Sequence, residues 1–206
     1  MKISERTYNS SDVISFKSTK EEFGGLSNMA PGYSLRVNDI IIPSAEALYQ
    51  ACRYPLFPHI QEEIIVQNSP MTAKMVSRKF NSYTRQDWEM VKYDIMYWVL
   101  KVKLSQNSEK FYKLLERTGN APIVELSNKD KDWAVVPEGN GKLKGKNALG
   151  RLLMQLRSEY VFNDNCINCV EPLNIHGFNL YGSEIDTVCN PLVEYENHLL
   201  FDLDYA

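Results

Sequence analysis

The segment that begins at Thr84 constrains the fold of this chain more than any other. Residues 84–87, Thr-Arg-Gln-Asp, have the composition of a helix N-terminus. The apolar residues that follow recur at helical spacing on one face: Trp88, Val91, Ile95, Trp98, Val99 and Val102. The pattern predicts a long helix that buries this face against other elements.

Length and composition limit the classes of protein to which this chain can belong. Its 206 residues suit one domain, or one domain with an appendage, and 44% hydrophobic and 24% charged residues are ordinary values for a globular protein. The net charge of -3 disfavours a strongly basic nucleic-acid binder, although it is compatible with a local basic pocket. No apolar run approaches the roughly 18 residues of a spanning helix, and the N-terminus does not resemble a signal peptide. We therefore expect no membrane contact and a cytoplasmic protein.

Short strands are predicted ahead of the helices. Residues 13–16 are predicted to form a strand, and residues 33–42 a hairpin that turns at Asn38 and Asp39. Residues 23–28, Phe-Gly-Gly-Leu-Ser-Asn, are predicted to form a loop in which the two glycines permit unusual backbone angles. Further along, residues 122–126 are apolar enough for a strand, and the polar, glycine-rich residues 129–146 are predicted to be a loop.

Helical patterns occupy most of the remaining chain up to Tyr160, where the periodicity fades. The predicted helices cover residues 44–53 with Ser44 as N-cap, residues 60–67, a segment that opens with Ser69 and Pro70, residues 107–118, and a segment from Asn147. We therefore expect a loose N-terminus over residues 1–12, one domain over residues 13–160, and a C-terminal extension over residues 161–206. The extension is expected to pack on the core or cover the pocket, and residues 199–203 to form a strand or a partner-binding tail.

Two helices carry polar residues that share a face. Glu46, Gln50 and Arg53 lie at i, i+4 and i+7, so they either line a polar pocket or form a solvated face. Lys74 and Arg78 lie at i and i+4, a spacing that suits a phosphate but also an ordinary basic surface. For both helices, the residues by themselves favour a solvent-exposed polar face over a ligand-binding pocket.

Outside these helices, the candidate residues lie in polar segments. Trp88 is most simply a core residue, whereas Trp133 lies among charged residues and is either a stacking platform for a base or a surface anchor. Residues 139–147, which include Lys146 and Asn147, are rich in glycine and lysine and lead into a helix, as in some phosphate-binding loops.

The four cysteines are too few for a disulfide framework. Cys166, Cys169, His176 and Cys189 fit no strong zinc spacing, so reduced cysteines packed on the core are favoured over a zinc site.

Six segments occur in an order that resembles the NADAR superfamily, the YbiA-like N-glycosidases. The resemblance runs from about Ile14 to Arg157 and rests on residues 23–28, 43–51, 69–78, 88–92, 130–133 and 145–150. It implies a compact, mostly helical α+β domain with a small N-terminal β-hairpin. It also implies hydrolysis of the N-glycosidic bond in a ribosylated substrate. That substrate would be an ADP-ribosylated nucleobase, including guanine in nucleic acid, or a phosphorylated ribosylamino-pyrimidine. No cofactor and no metal is implied.

The resemblance also implies which residues form the site. Glu46, Trp88, Asp130 and Trp133 match the active-site positions of the family, and Phe23, Gly24 and Asn28 match its substrate-lining loop. Our hypothesis is that Glu46 is the base or electrostatic stabiliser and that Asp130 orients the ribose hydroxyls or the leaving group. Trp133 would stack on the base or close the pocket, and Trp88 would form a wall. Phosphates would be held by Lys74, Arg78 and the lysines of residues 142–146.

One position departs from the family pattern. Many members have lysine where this chain has Arg53, and a lysine can form an imine with the opened sugar whereas arginine cannot. Lys74 would be the substitute amine. The departure favours the alternative that the protein is a non-catalytic sensor of ADP-ribose or a related nucleotide. A structural helical adaptor is a third interpretation, which leaves the set of acidic and aromatic residues unexplained.

Overall fold

Helix α4, Trp88–Gln106, runs through the middle of the fold. The computed structural model describes residues 3–163 and 165–191. Within them α4 packs against three helices and three strands: α1 (Ala45–Ala51), α5 (Ser108–Glu116), α6 (Ala148–Leu156), β3 (Leu35–Val37), β8 (Cys169–Val170) and β11 (Val188–Cys189). Burial extends beyond the predicted apolar stripe, because Met96, Leu100 and Lys103 are also buried. The helix is therefore enclosed by its neighbours over most of its surface.

The other predicted helices are confirmed. Besides α1, α5 and α6, the structure contains α2 (Pro58–Ile65) and α3 (Pro70–Lys79). Helix α1 begins after Ser44, whose Oγ accepts a hydrogen bond from the backbone N–H of Ala47 at 3.2 Å. Helix α3 begins after Ser69 with Pro70 in its first turn, and a π-helical turn, Arg157–Val161, follows α6.

A three-stranded antiparallel sheet corrects two predictions. Strand β1 (Arg6–Asn9) pairs with β7 (Lys142–Gly145), which also pairs with β6 (Val136–Gly139). Residues 6–12 are therefore not loose, and residues 129–146 contain a hairpin rather than a loop alone. Each of these strands is short and pairs with a segment distant in the chain or across a tight turn, so the local pattern does not reveal it.

Two further strand pairs lie closer to the core. The predicted hairpin is confirmed as β3 and β4 (Ile40–Ile42), with Asn38 and Asp39 at φ values of 47° and 62° in its turn. Strand β2 (Ile14–Phe16) pairs in parallel with β5 (Ile123–Glu125), on which α6 packs. The arrangement is the predicted mostly helical α+β fold with small sheets.

The segment after residue 164 packs on the core through a set of buried apolar residues: Val170, Phe178, Leu180, Ile185 and Val188. It contains β8 and β11, which pair with each other, and a second small pair, β9 (Asn179–Leu180) with β10 (Ser183–Glu184). Cys169 and Cys189 form a disulfide between β8 and β11. The expectation that the cysteines are all reduced is therefore wrong. Residues 199–203 lie outside the described part of the chain.

No helix within the described residues has both the length and the apolar composition needed to cross a membrane.

Candidate active site

Helix α1 is buried on all sides, and this burial includes its polar residues. Glu46 is 1% exposed and Gln50 is 5% exposed. α1 is covered by α2, α3 and α4, which leaves no solvated face for these two side chains. The interpretation of residues 46, 50 and 53 as a solvent-exposed face is therefore wrong for Glu46 and Gln50. A buried carboxylate needs polar partners, and the structure supplies them.

Glu46 is held by donors from three parts of the chain. Its Oε2 accepts a short hydrogen bond from Asn28 Nδ2, and its Oε1 accepts one from Gln50 Nε2 at 2.9 Å. The Lys74 amine lies 3.8 Å from Oε1. Burial raises the pKa of Glu46, while Lys74 and Gln50 oppose the rise because they stabilise the anion. Glu46 is thus a desolvated carboxylate in a fixed orientation.

Gln50 and Arg53 continue this network away from Glu46. Gln50 Oε1 accepts hydrogen bonds from Ser77 Oγ at 2.6 Å and from Arg53 Nη1 at 3.2 Å, so its amide must donate towards Glu46. The Arg53 guanidinium also donates to Asn81 and Thr84 and lies 5.1 Å from the centre of the Trp88 ring. Arg53 is therefore fixed in place at the wall of the site.

These residues surround a cavity of about 390 Å³, which we call the acidic cavity. It brings together the carboxylates of Glu46, Glu125 and Asp130, the cations Lys74 and Arg78, and the aromatic rings of Tyr49, Trp88 and Trp133. Its lining also includes these residues: Asn28, Met29, Gln50, Arg53, Asn81, Glu89, Lys92, Met96 and Leu149. Most of the predicted site residues thus share one cavity, although they come from separate segments of the chain.

Glu125 was not predicted as a site residue. It ends β5, directly after buried Val124, and its side chain lines the acidic cavity. Burial raises its pKa to about 7, helped by the nearby charges of Asp130 and Glu46 and opposed by Lys74 and by a hydrogen bond with Ser27. A carboxylic acid that titrates near neutral pH can donate a proton in a reaction. The sequence signal was a single acidic residue at the end of an apolar strand.

Asp130 shapes the loop that carries Trp133. Its Oδ1 accepts hydrogen bonds from the backbone N–H groups of Asp132 at 2.9 Å and Trp133 at 3.0 Å. The Trp133 ring makes edge contacts with Tyr49 and Tyr93, at centroid distances of 5.5 Å and 5.3 Å. Trp133 therefore belongs to an aromatic cluster at the wall of the cavity, which Asp130 also lines.

Two residues of the predicted substrate-lining loop do not line the cavity. Gly24 packs so closely on the preceding turn that a Cβ there would lie 2.5 Å from Ser18 O, and this contact explains the glycine without any unusual backbone angle. Phe23 lies against the guanidinium of Arg117. From residues 23–28, only Asn28 reaches the acidic cavity.

The predicted phosphate-binding loop, residues 139–147, does not line the acidic cavity either. Lys146 donates to Asp132 at 2.7 Å, and Lys142 donates to Asn9 at 2.6 Å. Asn147 is fully buried with φ of 52°, and its side chain bonds to the backbone of Ile123 and Glu125. Asn147 is therefore a structural residue that fixes β5, and neither it nor Lys146 lines the cavity.

Lys146 belongs to an ion cluster beside the cavity. Burial would raise the pKa of Asp132, but hydrogen bonds from Lys146, Tyr93 and Lys92 outweigh it and lower the pKa to about 2. Lys92 also donates to Glu89 at 2.6 Å, and these two residues line the edge of the cavity. The cluster ties α4 to the loop that carries Trp133.

Taken together, the fold and the cavity define a class of protein: an α+β domain with a cavity lined by carboxylates, aromatic rings and cations. The model of the NADAR domain matches residues 15–160. The chain belongs to the NADAR domain family.

Named relatives agree with this membership. The chain is 37% identical over 147 residues to a protein of Shigella boydii serotype 4 named N-glycosidase YbiA, covering 71% of this chain and 88% of that protein. It is 36% identical over 162 residues to the chloroplastic riboflavin biosynthesis protein PYRR of Zea mays, covering 72% of this chain and 25% of that protein. The NMR structure of the E. coli protein YbiA superimposes with a TM-score of 0.63 at 34% identity, covering 74% of this chain and 88% of that one. The family therefore includes proteins named as N-glycosidases.

Proposed function

We propose that this protein is an N-glycosidase that hydrolyses the bond between ribose and a nitrogen of its substrate. The observation that carries the proposal is the acidic cavity, in which Glu46 is buried among donors that stabilise its anion, and half-buried Glu125 has a pKa raised to about 7. Breaking this bond develops positive charge at the anomeric carbon and leaves a nitrogen that needs a proton. In such a cavity the stabilised anion can balance the positive charge at the anomeric carbon, and the protonated carboxyl can donate a proton to the departing nitrogen.

The surroundings of each carboxyl suggest how the roles divide. Glu46 is held by Asn28, Gln50 and Lys74, which favour its anion, so we assign it to the anomeric carbon as electrostatic stabiliser or as base for the attacking water. Glu125 titrates at about pH 7, so we assign it as the acid that protonates the departing nitrogen.

Asp130 has one oxygen committed to the backbone, and its other oxygen would accept a ribose hydroxyl. Trp133 would contact the base, Trp88 would wall the cavity, and Lys74 and Arg78 would attract a phosphate.

Arg53 supports attack by water over attack by a lysine. Its guanidinium is fixed by Gln50, Asn81 and Thr84 and cannot form an imine. Lys74 is the amine nearest to Glu46, and sodium borohydride would trap an imine at this lysine during turnover. We expect mass spectrometry of the protein to find no trapped adduct. An adduct on Lys74 would show that this lysine, and not water, is the nucleophile.

The direct test is a panel of ribosylated compounds that includes ADP-ribosylated guanosine and a phosphorylated ribosylamino-pyrimidine. We expect the parent protein to release the base from one of these classes, as followed by mass spectrometry, and Glu46→Gln to reduce the rate by about 100-fold or more. Glu109→Gln is the matched control, because Glu109 is an exposed residue of α5 outside the cavity. A Glu46→Gln variant as fast as the parent would contradict the assignment of Glu46, and no release from any compound would contradict the activity.

The second candidate function is a sensor that binds ADP-ribose without cleaving it, and Arg53 at the family lysine position favours it. Calorimetry with ADP-ribose, followed by product analysis of the panel, separates the two. Binding without base release from any compound would support the sensor.

A further inference from the structure

We propose that Lys103 is a positioning residue, which holds loop 24–28 so that Ser27 and Asn28 meet the two carboxyl groups of the acidic cavity. Lys103 is a fully buried residue of α4 and does not line that cavity. Its amine donates to the backbone carbonyl of Gly25 at 2.7 Å and to that of Ser27 at 3.1 Å. A buried amine is costly without such acceptors, so its presence in the core requires an explanation.

The surroundings of the amine leave it little freedom. The aromatic rings of Tyr33 and Phe111 lie next to the amine, with ring centroids 4.1 Å and 4.2 Å from Nζ. Aromatic faces attract a cation and restrict the position of the amine. Gly25 is also closely packed, because a Cβ there would lie 2.4 Å from the Tyr33 hydroxyl. The two carbonyls are thus fixed to the central helix of the fold.

The same short loop supplies partners to both carboxyl groups. Asn28 donates to Glu46 through its side chain and accepts from the Glu46 backbone N–H at 3.1 Å. The Ser27 side chain stabilises the anion of Glu125 and so opposes the rise of its pKa. Lys103 holds the carbonyl of Ser27 itself and the carbonyl two residues before it. A shift of this loop would therefore disturb the partners of Glu46 and Glu125 together.

The test measures the Glu46 carboxyl in the ligand-free protein, by carbon-detected NMR titration with labelled glutamate. In Lys103→Met we expect the pKa of Glu46 to rise, because Asn28 no longer donates to its anion. Asn28→Ala should produce a rise of similar size, and Lys103→Met in the Asn28→Ala background should add nothing further. A loss of the distant positive charge alone would instead add to the effect of Asn28→Ala, so additive shifts would overturn the proposal.

Hydrogen exchange of the loop amides provides the second measurement. We expect faster exchange at residues 24–28 in Lys103→Met, whereas Lys101→Met, the same change two positions earlier on α4, should leave both the exchange and the titration unchanged. If Lys103→Met does not fold, Lys103→Leu replaces it, since leucine also lacks an N–H donor for the two loop carbonyls. Unchanged loop exchange and an unchanged Glu46 titration in a folded variant would overturn the proposal.

The consequence for catalysis rests on the proposed function. With the panel compound that the parent cleaves, we expect Lys103→Met to lower kcat about tenfold or more with little change in KM, because the variant disturbs the carboxyl groups and leaves Lys74 and Arg78 in place. If the parent cleaves no compound of the panel, the proposed function fails, while the titration and the exchange still decide the role of Lys103.

Discussion

Glu46 and Glu125 are the same residue type in one cavity, but their partners differ. Glu46 accepts hydrogen bonds from two side-chain amides, and Glu125 lies in surroundings that raise its pKa to about 7. A catalytic acid works best when its pKa is near the working pH, whereas a stabilising anion must remain ionised. The division of roles therefore follows from the environment of each carboxyl group.

This division makes a pH-dependent prediction for Glu125→Gln. Glu125 holds its proton below pH 7 and loses it above, so the kcat/KM of the parent should fall as the pH rises through about 7. Glutamine donates no proton of comparable acidity, so we expect the rate to drop by about 10² to 10⁴ and the remaining activity to lack this basic limb. Rates of base release measured between about pH 5 and about pH 9 would check both points. If kcat/KM of Glu125→Gln still falls as the pH rises through about 7, a group other than Glu125 is responsible for that fall.

Among the individual site residues, those on the face of α1 were predicted better from the sequence than those in the loops. Glu46, Gln50 and Arg53 share a face by helical spacing alone, and the structure brings this face to the cavity with Lys74 and Arg78. Which residues of a loop point inwards has no such periodicity. The predicted residues Phe23, Gly24, Lys146 and Asn147 therefore lie outside the lining of the acidic cavity, and Glu125 was not predicted because a single acidic residue at the end of a short strand has no distinctive pattern.

At the level of elements, α1 carries Glu46 and depends on its N-terminal cap. Ser44 is fully buried and accepts from Ala47 N–H at 3.2 Å, whereas Ser69, the cap of α3, is exposed and accepts from Thr72 N–H at 3.5 Å. We expect Ser44→Ala to lower the free energy of unfolding by about 1–2 kcal/mol and Ser69→Ala by less than about 1 kcal/mol, because the buried N–H has no water to replace the lost acceptor. Urea denaturation of both variants measures the difference. Equal losses would show that burial of the cap is unimportant.

Element prediction succeeded where one segment carries the whole signal. The 19 residues of α4 and the hairpin turn at Asn38 and Asp39 are examples of such segments. Strand β7 has a single buried residue between its lysines, Leu143, and it pairs with β1 from the other end of the chain. Sheet pairing of this kind depends on the fold as a whole, so residues 6–12 and 136–145 could not be predicted from their own composition.

For the whole molecule, the disulfide between Cys169 and Cys189 fastens the C-terminal segment to itself. The cysteines are 20 residues apart in sequence. A cross-link of that loop length stabilises a folded protein by about 3 kcal/mol in the chain-entropy model, so reductant should lower the free energy of unfolding by a similar amount. Because the described residues after 160 do not line the acidic cavity, we expect base release by the folded, reduced protein to be unchanged.

Cys189→Ser is the control for this experiment, since reductant should have no effect on its stability. A parent protein that is equally stable with and without reductant would contradict the prediction. The sequence predicted the burial of this segment but not the bond, because the spacing of four cysteines does not determine which of them approach each other.

The buried amine of Lys103 predicts how the stability of the whole molecule depends on pH. Burial lowers the pKa of Lys103 to about 7, while in the unfolded chain a lysine titrates near 10.4. Between these values the unfolded state binds one more proton than the folded state, so stability rises with pH, by up to about 1.4 kcal/mol per pH unit. Two other groups limit the pH range over which the effect of Lys103 on stability can be measured. Glu125, whose pKa burial raises to about 7, opposes the trend up to about that pH, because the folded state keeps its proton. Cys52, whose pKa burial raises to about 12, opposes the trend once unfolded thiols ionise near pH 8.5.

We therefore expect the free energy of unfolding of the parent, measured by urea denaturation, to increase between about pH 7 and about pH 8.5, and that of Lys103→Met to show no increase over the same range. Lys101→Met should keep the slope of the parent, because Lys101 lies near the surface beside Tyr97. A flat profile in the parent would contradict the prediction. It would mean that the two carbonyls and the rings of Tyr33 and Phe111 retain the proton on Lys103 against the effect of burial.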